Sequence, residues 1–381
     1  MASNSEVEED PSPPSRLIPD DWSAAADDIK AHSSGSLRPP VAVICGPKHA
    51  GKSTFSRYLV GILLQRYKKV GYLDTDVGQP EFTAPGLLSF TVIDKRTSGL
   101  TSPCLTNPER CFFFGDISPK RDPSMYLKYV TTLYDYYQNE YCTIGNNGNP
   151  RKSALPLVVN TPGWVKGVGY DLLVDMLRHI ASTHVVKINT SFQKKNLPAG
   201  NFWVYDDQDI EVNRIEIKSA FKDSYIRSVL IQKEPRILRD ERIMLYFRQC
   251  FPRDMDITMI KELAIALAAH PPYQVPLSCI KIRHLHCQVP DSEILYSLNA
   301  TIVGLAVSSD QSANLPWCLG LGIVRGIDSS KGLLYIITPV APTVLENVDI
   351  LLQGFIQIPI SLLQYRGCIS PYMSTNVLPA I

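Results

Sequence analysis

The chain has 381 residues, of which 45% are hydrophobic and 20% are charged, and its formal net charge is +1. This composition is ordinary for a globular protein, and because no run of about 18 apolar residues occurs, no membrane-spanning helix is expected. The first residues lack a basic head followed by an apolar run, so no secretory signal is expected either.

The cysteines indicate a reducing compartment. Nine of them are scattered singly, none forms a Cys-x-x-Cys pair, and the number is odd, which is typical of free thiols. His284, His286 and Cys287 could suggest a metal site. Because no second cluster of ligands lies nearby, a structural or surface role is expected for them.

Residues 1–40 form an acidic segment. They hold eight acidic and three basic side chains, a balance of −5, so the remainder carries a surplus of about +6 that is compatible with a nucleic-acid groove. The segment is rich in Ser, Pro, Asp and Glu and is predicted to be disordered. In the alternative, Leu17, Ile18 and Trp22 dock on the body as a short arm.

Residues 41–250 alternate between buried strands and amphipathic helices. Strands are predicted at 41–45, 70–73, 112–114, 155–159 and 184–188, and helices at 53–66, 124–140 and 170–180. Many tyrosines lie in the second helix, and we expect them to pack in the core. The alternation predicts an α/β fold with a mostly parallel sheet covered on both faces. The glycine-rich loop at 46–53 makes it a fold of the P-loop NTPase or kinase type.

The pattern changes after about residue 250. Strand-like runs at 277–286, 300–307, 319–324, 333–337 and 350–358 are separated by Pro, Gly, Asn or Asp. Residues 251–381 are therefore predicted to form a C-terminal β-rich domain.

A phosphate-binding loop follows the first strand. Glycines let the backbone wrap around a phosphate, and the following helix adds the positive end of its dipole. Lys52 would contact the β- and γ-phosphates, and the Ser53 hydroxyl is the expected Mg²⁺ ligand. The alternative is a chance match in a Gly-containing loop. The predicted nucleotide-binding residues are Gly46, Pro47, Lys48, His49, Ala50, Gly51, Lys52, Ser53 and Thr54.

Two carboxylates and an amide lie at the end of the next strand. Asp74, Asp76 and Gln79 follow residues 70–73, and strand ends border the ligand crevice of an open α/β sheet. Such groups can hold Mg²⁺, directly or through water, or accept a proton from an attacking hydroxyl. The alternative is that they end the strand and cap a turn.

A third candidate follows the strand at 155–159. Thr161 and the Gly163 amide could hold a phosphate, and Trp164 could stack on a base. A tight loop with a buried Trp explains the same residues, and the spacing does not decide between the two.

A fourth candidate is a row of arginines. Arg236, Arg239 and Arg242 are spaced by three, which places them along one face of a helix. Kinases use such cations around the transferred phosphoryl group. Because Asp240 and Glu241 are interleaved, a solvated charged face is the alternative.

Taken together, these motifs resemble one family. The similarity runs in order from about residue 41 to about residue 250, and it is to the eukaryotic polynucleotide 5′-hydroxyl kinases, in particular to the nucleolar branch that acts in pre-ribosomal RNA processing. Four runs carry it: GPKHAGKSTFSRYL, YLDTDVGQPEFTAPG, FFFGDISP and VVNTPGWVKGVGYDLL.

The resemblance implies transfer of the γ-phosphate of ATP, or of another NTP, with Mg²⁺, to the 5′-hydroxyl of RNA and, in many family members, of DNA. It implies a nuclear, nucleolar protein that works beside an endonuclease and not at a membrane. A non-catalytic ATP-binding scaffold is the alternative. The Asn-Lys-x-Asp element of GTPases and the Ser-Gly-Gly-Gln signature of ABC ATPases are both missing from the sequence.

The resemblance also assigns roles to residues. Lys52, Asp76, Arg236 and Arg239 become the catalytic group, with Asp76 as the base and the arginines in a lid near 230–245. Ser53 and Asp74 are the expected metal ligands. The implied substrate-binding residues are Gln79, Thr161, Gly163, Trp164 and Lys166.

Overall fold

The computed structural model describes residues 18–32, 38–95, 105–142, 154–204, 212–220, 234–308 and 315–363. The helices are α1 Asp20–Ala31, α2 Lys52–Leu63, α3 Pro123–Tyr137, α4 Val168–His179, α5 Pro235–Arg248, α6 Ile260–Ala269, α7 Ile294–Leu298, α8 Pro342–Leu345 and α9 Ile360–Leu363. The strands are β1 Val41–Cys45, β2 Val70–Asp74, β3 Leu87–Ile93, β4 Arg110–Phe113, β5 Leu157–Asn160, β6 His184–Asn189, β7 Asn213–Lys218, β8 Tyr273–Pro276, β9 Lys281–His284, β10 Ile302–Val307, β11 Trp317–Asp328, β12 Leu333–Ile337 and β13 Ile350–Gln353.

The first sheet is seven-stranded, in the order β4-β3-β2-β5-β1-β6-β7. The five neighbouring strands β2, β5, β1, β6 and β7 run parallel to one another. Strand β3 pairs antiparallel with β2, and β4 pairs antiparallel with β3. Strands β1, β2 and β5 are buried at every position, as expected for central strands covered by helices on both faces. The α/β prediction with a mostly parallel sheet is confirmed.

Two cores lie on the two faces of this sheet. One contains α3 and α4, and the other contains α1 and α2. The tyrosines of α3 belong to the first core, with Tyr126 and Tyr137 fully buried and Tyr129 stacked on Phe112 at a centroid distance of 4.4 Å. The prediction that they pack in the core is confirmed.

The second sheet is six-stranded, in the order β8-β12-β11-β10-β13-β9, and is antiparallel except where β13 meets β9. The β-rich C-terminal part is therefore confirmed. The predicted strand at 277–286 is shorter than expected, because its first residues form a 3-10 turn. Helix α6 was not predicted, and neither was β3 in the first sheet.

The two sheets share a core. The ring of Trp317 on β11 stacks on Phe112 of β4 at 4.3 Å. Beside it, the Cys111 thiol donates to the Cys318 carbonyl oxygen at 2.9 Å. The apolar cluster that contains Phe113 also includes residues of α5, α6 and the second sheet. The predicted boundary near residue 250 is therefore crossed by continuous packing.

The prediction of disorder across residues 1–40 is wrong for 20–31. This stretch is helix α1, with Trp22, Ala25, Ala26 and Ile29 buried. Trp22 packs edge-on against Phe55 at 5.3 Å, and its indole N–H donates to the Lys218 carbonyl at 2.8 Å. The acidic composition of the whole segment concealed an apolar face of helical period. Residues 1–17, including Leu17, and 33–37 lie outside the described residues.

Two other sequence predictions concern metals and membranes. His284 hydrogen-bonds the Ser297 hydroxyl at 2.9 Å, and His286 hydrogen-bonds the Phe114 carbonyl at 2.6 Å, so both imidazoles have structural partners. Within the described ranges, no helix is both long and apolar enough to cross a bilayer.

The docking of α1 can be tested by removing one buried side chain. Ile29 is fully buried in α1, whereas Ile260, on α6, is 48% exposed. Ile29→Ala should lower the free energy of unfolding by roughly 2–5 kcal/mol, because it leaves a cavity. Ile260→Ala, which makes the same change at an exposed site, should stay within about 0.5 kcal/mol of wild type. Equal effects of the two substitutions in urea unfolding would contradict a docked helix.

Candidate active site at the carboxyl edge of the parallel sheet

The phosphate-binding loop connects β1 to α2 in a conformation that needs glycine. Gly46 and Gly51 have φ values of +147° and +98°, which side chains rarely adopt. A Cβ on Gly46 would lie 2.5 Å from the Ile188 carbonyl oxygen, so the loop passes directly against the end of β6. The context expected for this motif, between a buried strand and a helix, is therefore present.

Lys52 lies inside this loop. Its side chain is 7% exposed, and Nζ donates to the Pro47 carbonyl at 2.8 Å. Burial lowers the pKa of Lys52 to about 8, and the nearby Asp76 carboxylate is the main opposing influence. The loop thus holds an ammonium group with little solvation, and Asp76 lies close enough to act on its charge.

Asp74 ends β2 and is almost completely buried. One oxygen accepts from Asn160 Nδ2 at 3.1 Å and from the Asp76 amide at 3.2 Å, and the other accepts from the Glu81 amide at 2.5 Å. Burial nevertheless raises the pKa of Asp74 to about 7, because removing a carboxylate from water penalises its charged form. A cation bound beside it would favour ionisation.

Asp76 is half-buried in the turn after β2. Its Oδ1 accepts from the Gly78 and Gln79 amides, each at 3.0 Å. The turn-capping interpretation is therefore correct for this oxygen. Those bonds also fix the carboxylate within electrostatic range of Lys52, so the structural role and the predicted catalytic role are compatible.

The ends of β1, β2 and β5 are tied together by side chains. The Thr75 hydroxyl donates to the Asn160 carbonyl at 2.8 Å, and the Thr161 hydroxyl donates to the Ile44 carbonyl at 2.7 Å. Thr161 is fully buried. Its proton is given to a strand carbonyl, so the phosphate contact predicted for Thr161 would require that bond to open, and the contact stays a prediction.

The loop after β5 lies against the phosphate-binding loop. A Cβ on Gly163 would lie 2.6 Å from the Lys48 backbone nitrogen, so the two backbones are in close contact. Trp164 is half-buried, with its ring 5.4 Å from that of Tyr126, and Lys166 is exposed. The tight-loop interpretation of Trp164 is thus partly correct, although the residue is not fully buried.

The arginine row lies on α5, where one member enters the site. Arg242 Nη1 donates to the Glu81 carbonyl at 2.6 Å. Arg239, one turn nearer the start of the helix than Arg242, is half-buried, and Arg236, two turns nearer, is exposed. Residues 230–233 of the predicted lid lie outside the described residues.

Sequence analysis missed three residues that organise this region: Arg57, Glu81 and Asn160. Each lies inside one of the sequence runs that carry the family resemblance, but none was given a role there. Nothing in their spacing distinguishes them from surface residues, because their importance depends on burial and on contacts between distant segments.

Comparison with known proteins places these elements in a family. Residues 46–249 match the family described as mRNA cleavage and polyadenylation factor CLP1 P-loop, and residues 268–359 match the family described as NOL9-like, C-terminal domain. The chain is 57% identical over 364 residues to the polynucleotide 5′-hydroxyl-kinase NOL9 of Arabidopsis thaliana, covering 95% of this chain and 97% of that protein.

More distant relatives match most of this chain. The human polynucleotide 5′-hydroxyl-kinase NOL9 is 31% identical over 388 residues, covering 88% of this chain. The chain spans about half the length of the animal relatives, 49% of the zebrafish protein and 52% of the human one. Among solved structures, the wild-type Clp1p–Pcf11p complex aligns over 88% of this chain and 78% of that chain, with a TM-score of 0.60 and 16% identity, a likeness of fold.

The buried Asp74 carboxyl predicts a specific pH dependence. Its folded pKa is about 7, against 3.8 for the ordinary group. Between these values the folded state binds more protons than the unfolded state, so this group makes the protein less stable as pH rises.

Asp74→Asn removes that dependence. As pH rises from about 5 to about 7, the free energy of unfolding should shift in favour of the variant, by up to about 1.4 kcal/mol per pH unit relative to wild type. Urea unfolding of both proteins at several pH values measures the shift. A shift in favour of wild type would mean that the three hydrogen bonds outweigh burial and depress the pKa.

Proposed function

The chain belongs to the family of polynucleotide 5′-hydroxyl kinases that includes the NOL9 proteins, and on that premise we propose that it transfers the γ-phosphate of ATP to the 5′-hydroxyl of RNA. One observation carries the proposal. The phosphate-binding loop, the Asp76 turn and the Gly163 loop, which come from three separate strands, meet at one edge of the sheet.

The loop at 46–53 is suited to a triphosphate. Its backbone follows a path that only glycine permits at Gly46 and Gly51, and its amides lead into the positive end of α2. Lys52 donates to a carbonyl of its own loop. When an anion binds in the loop, the same ammonium group could donate to the anion without any change in the fold.

The residues present also fit a magnesium ion. Among the described residues no group of three or more His, Cys, Asp or Glu side chains is placed to hold a metal. Kinase sites, however, bind Mg²⁺ through one or two protein oxygens together with phosphates and waters. Ser53 and Asp74 would supply those oxygens. When bound, the ion would neutralise charge on the phosphates.

Phosphoryl transfer needs a base near the attacking hydroxyl. Asp76 would accept the proton of the 5′-hydroxyl as its oxygen bonds to the γ-phosphorus and the bond to the β-phosphate oxygen breaks, releasing ADP. Lys52 would stabilise the charge on the transferred group, and Arg236 and Arg239 would contribute from α5.

The polynucleotide end would bind beside this turn. Gln79 would contact the 5′-terminal nucleotide, the half-buried Trp164 would stack on a base, and the Gly163 amide and Lys166 would contact the backbone. Exposed Lys166 suits a phosphate contact of this kind.

The names of the relatives support a setting for this activity. We place the chain in the nucleolus, acting on pre-ribosomal RNA whose 5′-hydroxyl is left by an endonuclease partner. DNA ends and other NTPs are alternative substrates of the same site.

Two substitutions test the assignment of chemistry. Lys52→Ala and Asp76→Asn should each lower labelling of a 5′-hydroxyl oligoribonucleotide by γ-labelled ATP about 100-fold or more. Asp94→Asn, at an exposed position after β3, serves as the matched control and should retain wild-type turnover.

Two results would overturn the assignments. Near-normal turnover of Asp76→Asn would show that another group is the base. A wild-type chain that binds ATP but phosphorylates neither RNA nor DNA would favour the non-catalytic scaffold.

Trp164 makes a separate prediction about substrate binding. Trp164→Ala should raise KM for the oligonucleotide roughly 5- to 150-fold, because stacking is worth about 1–3 kcal/mol per base. KM for ATP should change little. Steady-state kinetics with each substrate varied in turn measures both constants, and an unchanged oligonucleotide KM would assign Trp164 to packing alone.

A further inference from the structure

Glu81 is a buried carboxylate that the proposed chemistry does not use. It is 4% exposed and lies seven residues after Asp74, in the segment that leaves the Asp76 turn. Burial raises the pKa of Glu81, and the two neighbouring arginines, Arg57 and Arg242, oppose that shift. Burying the Glu81 carboxylate costs free energy, because the charge loses its solvation. A functional role for the buried residue would explain why that cost is tolerated.

The contacts of Glu81 join three parts of the candidate site. Its amide donates to Asp74 Oδ2 at 2.5 Å, which holds the carboxylate at the end of β2. Its Oε1 lies 3.1 Å from Arg57 Nε on α2, the helix that begins with Lys52. The contact is an ion pair between two largely buried side chains.

The third contact reaches the arginine helix. Arg242 Nη1 donates to the Glu81 carbonyl at 2.6 Å, and Nη2 lies 3.8 Å from Glu81 Oε1. One guanidinium thus holds both the backbone and the side chain of Glu81. Arg239 lies one turn away on the same helix, so the contacts of Arg242 also fix the stretch of helix that carries Arg239.

Stability alone is a weak explanation for this cluster. Buried ion pairs often contribute no more than apolar residues of similar size, because the cost of desolvation offsets the attraction. A cluster of charges does, however, specify one relative position of the segments that carry it. Here those segments hold the Lys52 helix, the Asp74–Asp76 turn and the arginines of α5.

We propose that Glu81 and Arg242 are positioning residues for phosphoryl transfer, which hold the arginine helix α5 and the carboxylates after β2 in register with the phosphate-binding loop. The inference rests on the proposed kinase function. Neither side chain needs to touch a substrate, because each acts through the groups it holds.

Arg242→Met tests the inference with Arg248→Met as its matched control. Arg248 lies on the same helix and donates to the carbonyls of residues 251, 252 and 255, away from Glu81. With ATP and a 5′-hydroxyl oligoribonucleotide, Arg242→Met should lower kcat about tenfold or more while KM for ATP stays within about threefold. Arg248→Met should keep kcat within about twofold of wild type, even if its melting temperature falls as far as that of Arg242→Met.

Two further variants separate positioning from packing. Arg242→Lys keeps the charge but cannot hold both groups of Glu81, so its kcat should lie between wild type and Arg242→Met. Glu81→Gln should also lower kcat. The double variant of Glu81→Gln with Arg242→Met should be no more than about twofold worse than the poorer single variant, because both changes break one linkage. If Arg242→Met does not fold, Arg242→Lys carries the comparison.

Each remaining outcome overturns a definite claim. An active wild type whose Arg242 and Glu81 variants keep kcat within about twofold would overturn the inference alone. The inference would also be overturned if the decreases in kcat of the two single variants multiplied in the double variant. The same holds if the decrease in kcat disappeared once rates were divided by the fraction of molecules that bind ATP. An inactive wild type would overturn the proposed function and the inference with it.

Discussion

The hydrogen bonds that join the carboxyl ends of β2 and β5 are the constraint on which the site depends. Asn160 accepts from Thr75 through its carbonyl and donates from its side chain to Asp74. These bonds hold the Asp74–Asp76 turn at the same level as the loop that leaves β5. Because β1 lies on the other side of β5, the phosphate-binding loop is held at that level too.

The site contains two ionisable side chains, Lys52 and Asp74, that are buried without a full set of opposite charges around them. Burial lowers the pKa of Lys52 and raises the pKa of Asp74, so each group is held where its ionic form is disfavoured. A triphosphate with its counter-ion would supply the missing opposite charges to both. Sites that destabilise their own ionic groups in this way are typical of binding and catalysis, since a structural site would gain by pairing them.

The sequence predicted the parts of the site that follow local rules. The phosphate-binding loop needs glycines at fixed spacing, and carboxylates after a buried strand lie at a known edge of the sheet. Helix α1 was missed because composition was averaged over an acidic segment, although Trp22 and Ile29 share one helical face. Glu81 and Arg242 could not be paired from sequence, because 161 residues separate them and only the fold brings them together.

The most direct test of the account is a crystal structure of the chain with a non-hydrolysable ATP analogue and magnesium. The account predicts the phosphates inside the loop at 46–53, with Lys52 Nζ moved from the Pro47 carbonyl to a phosphate oxygen and Asp76 facing the γ-phosphate. A nucleotide bound elsewhere, with Lys52 still bonded to Pro47, would contradict it.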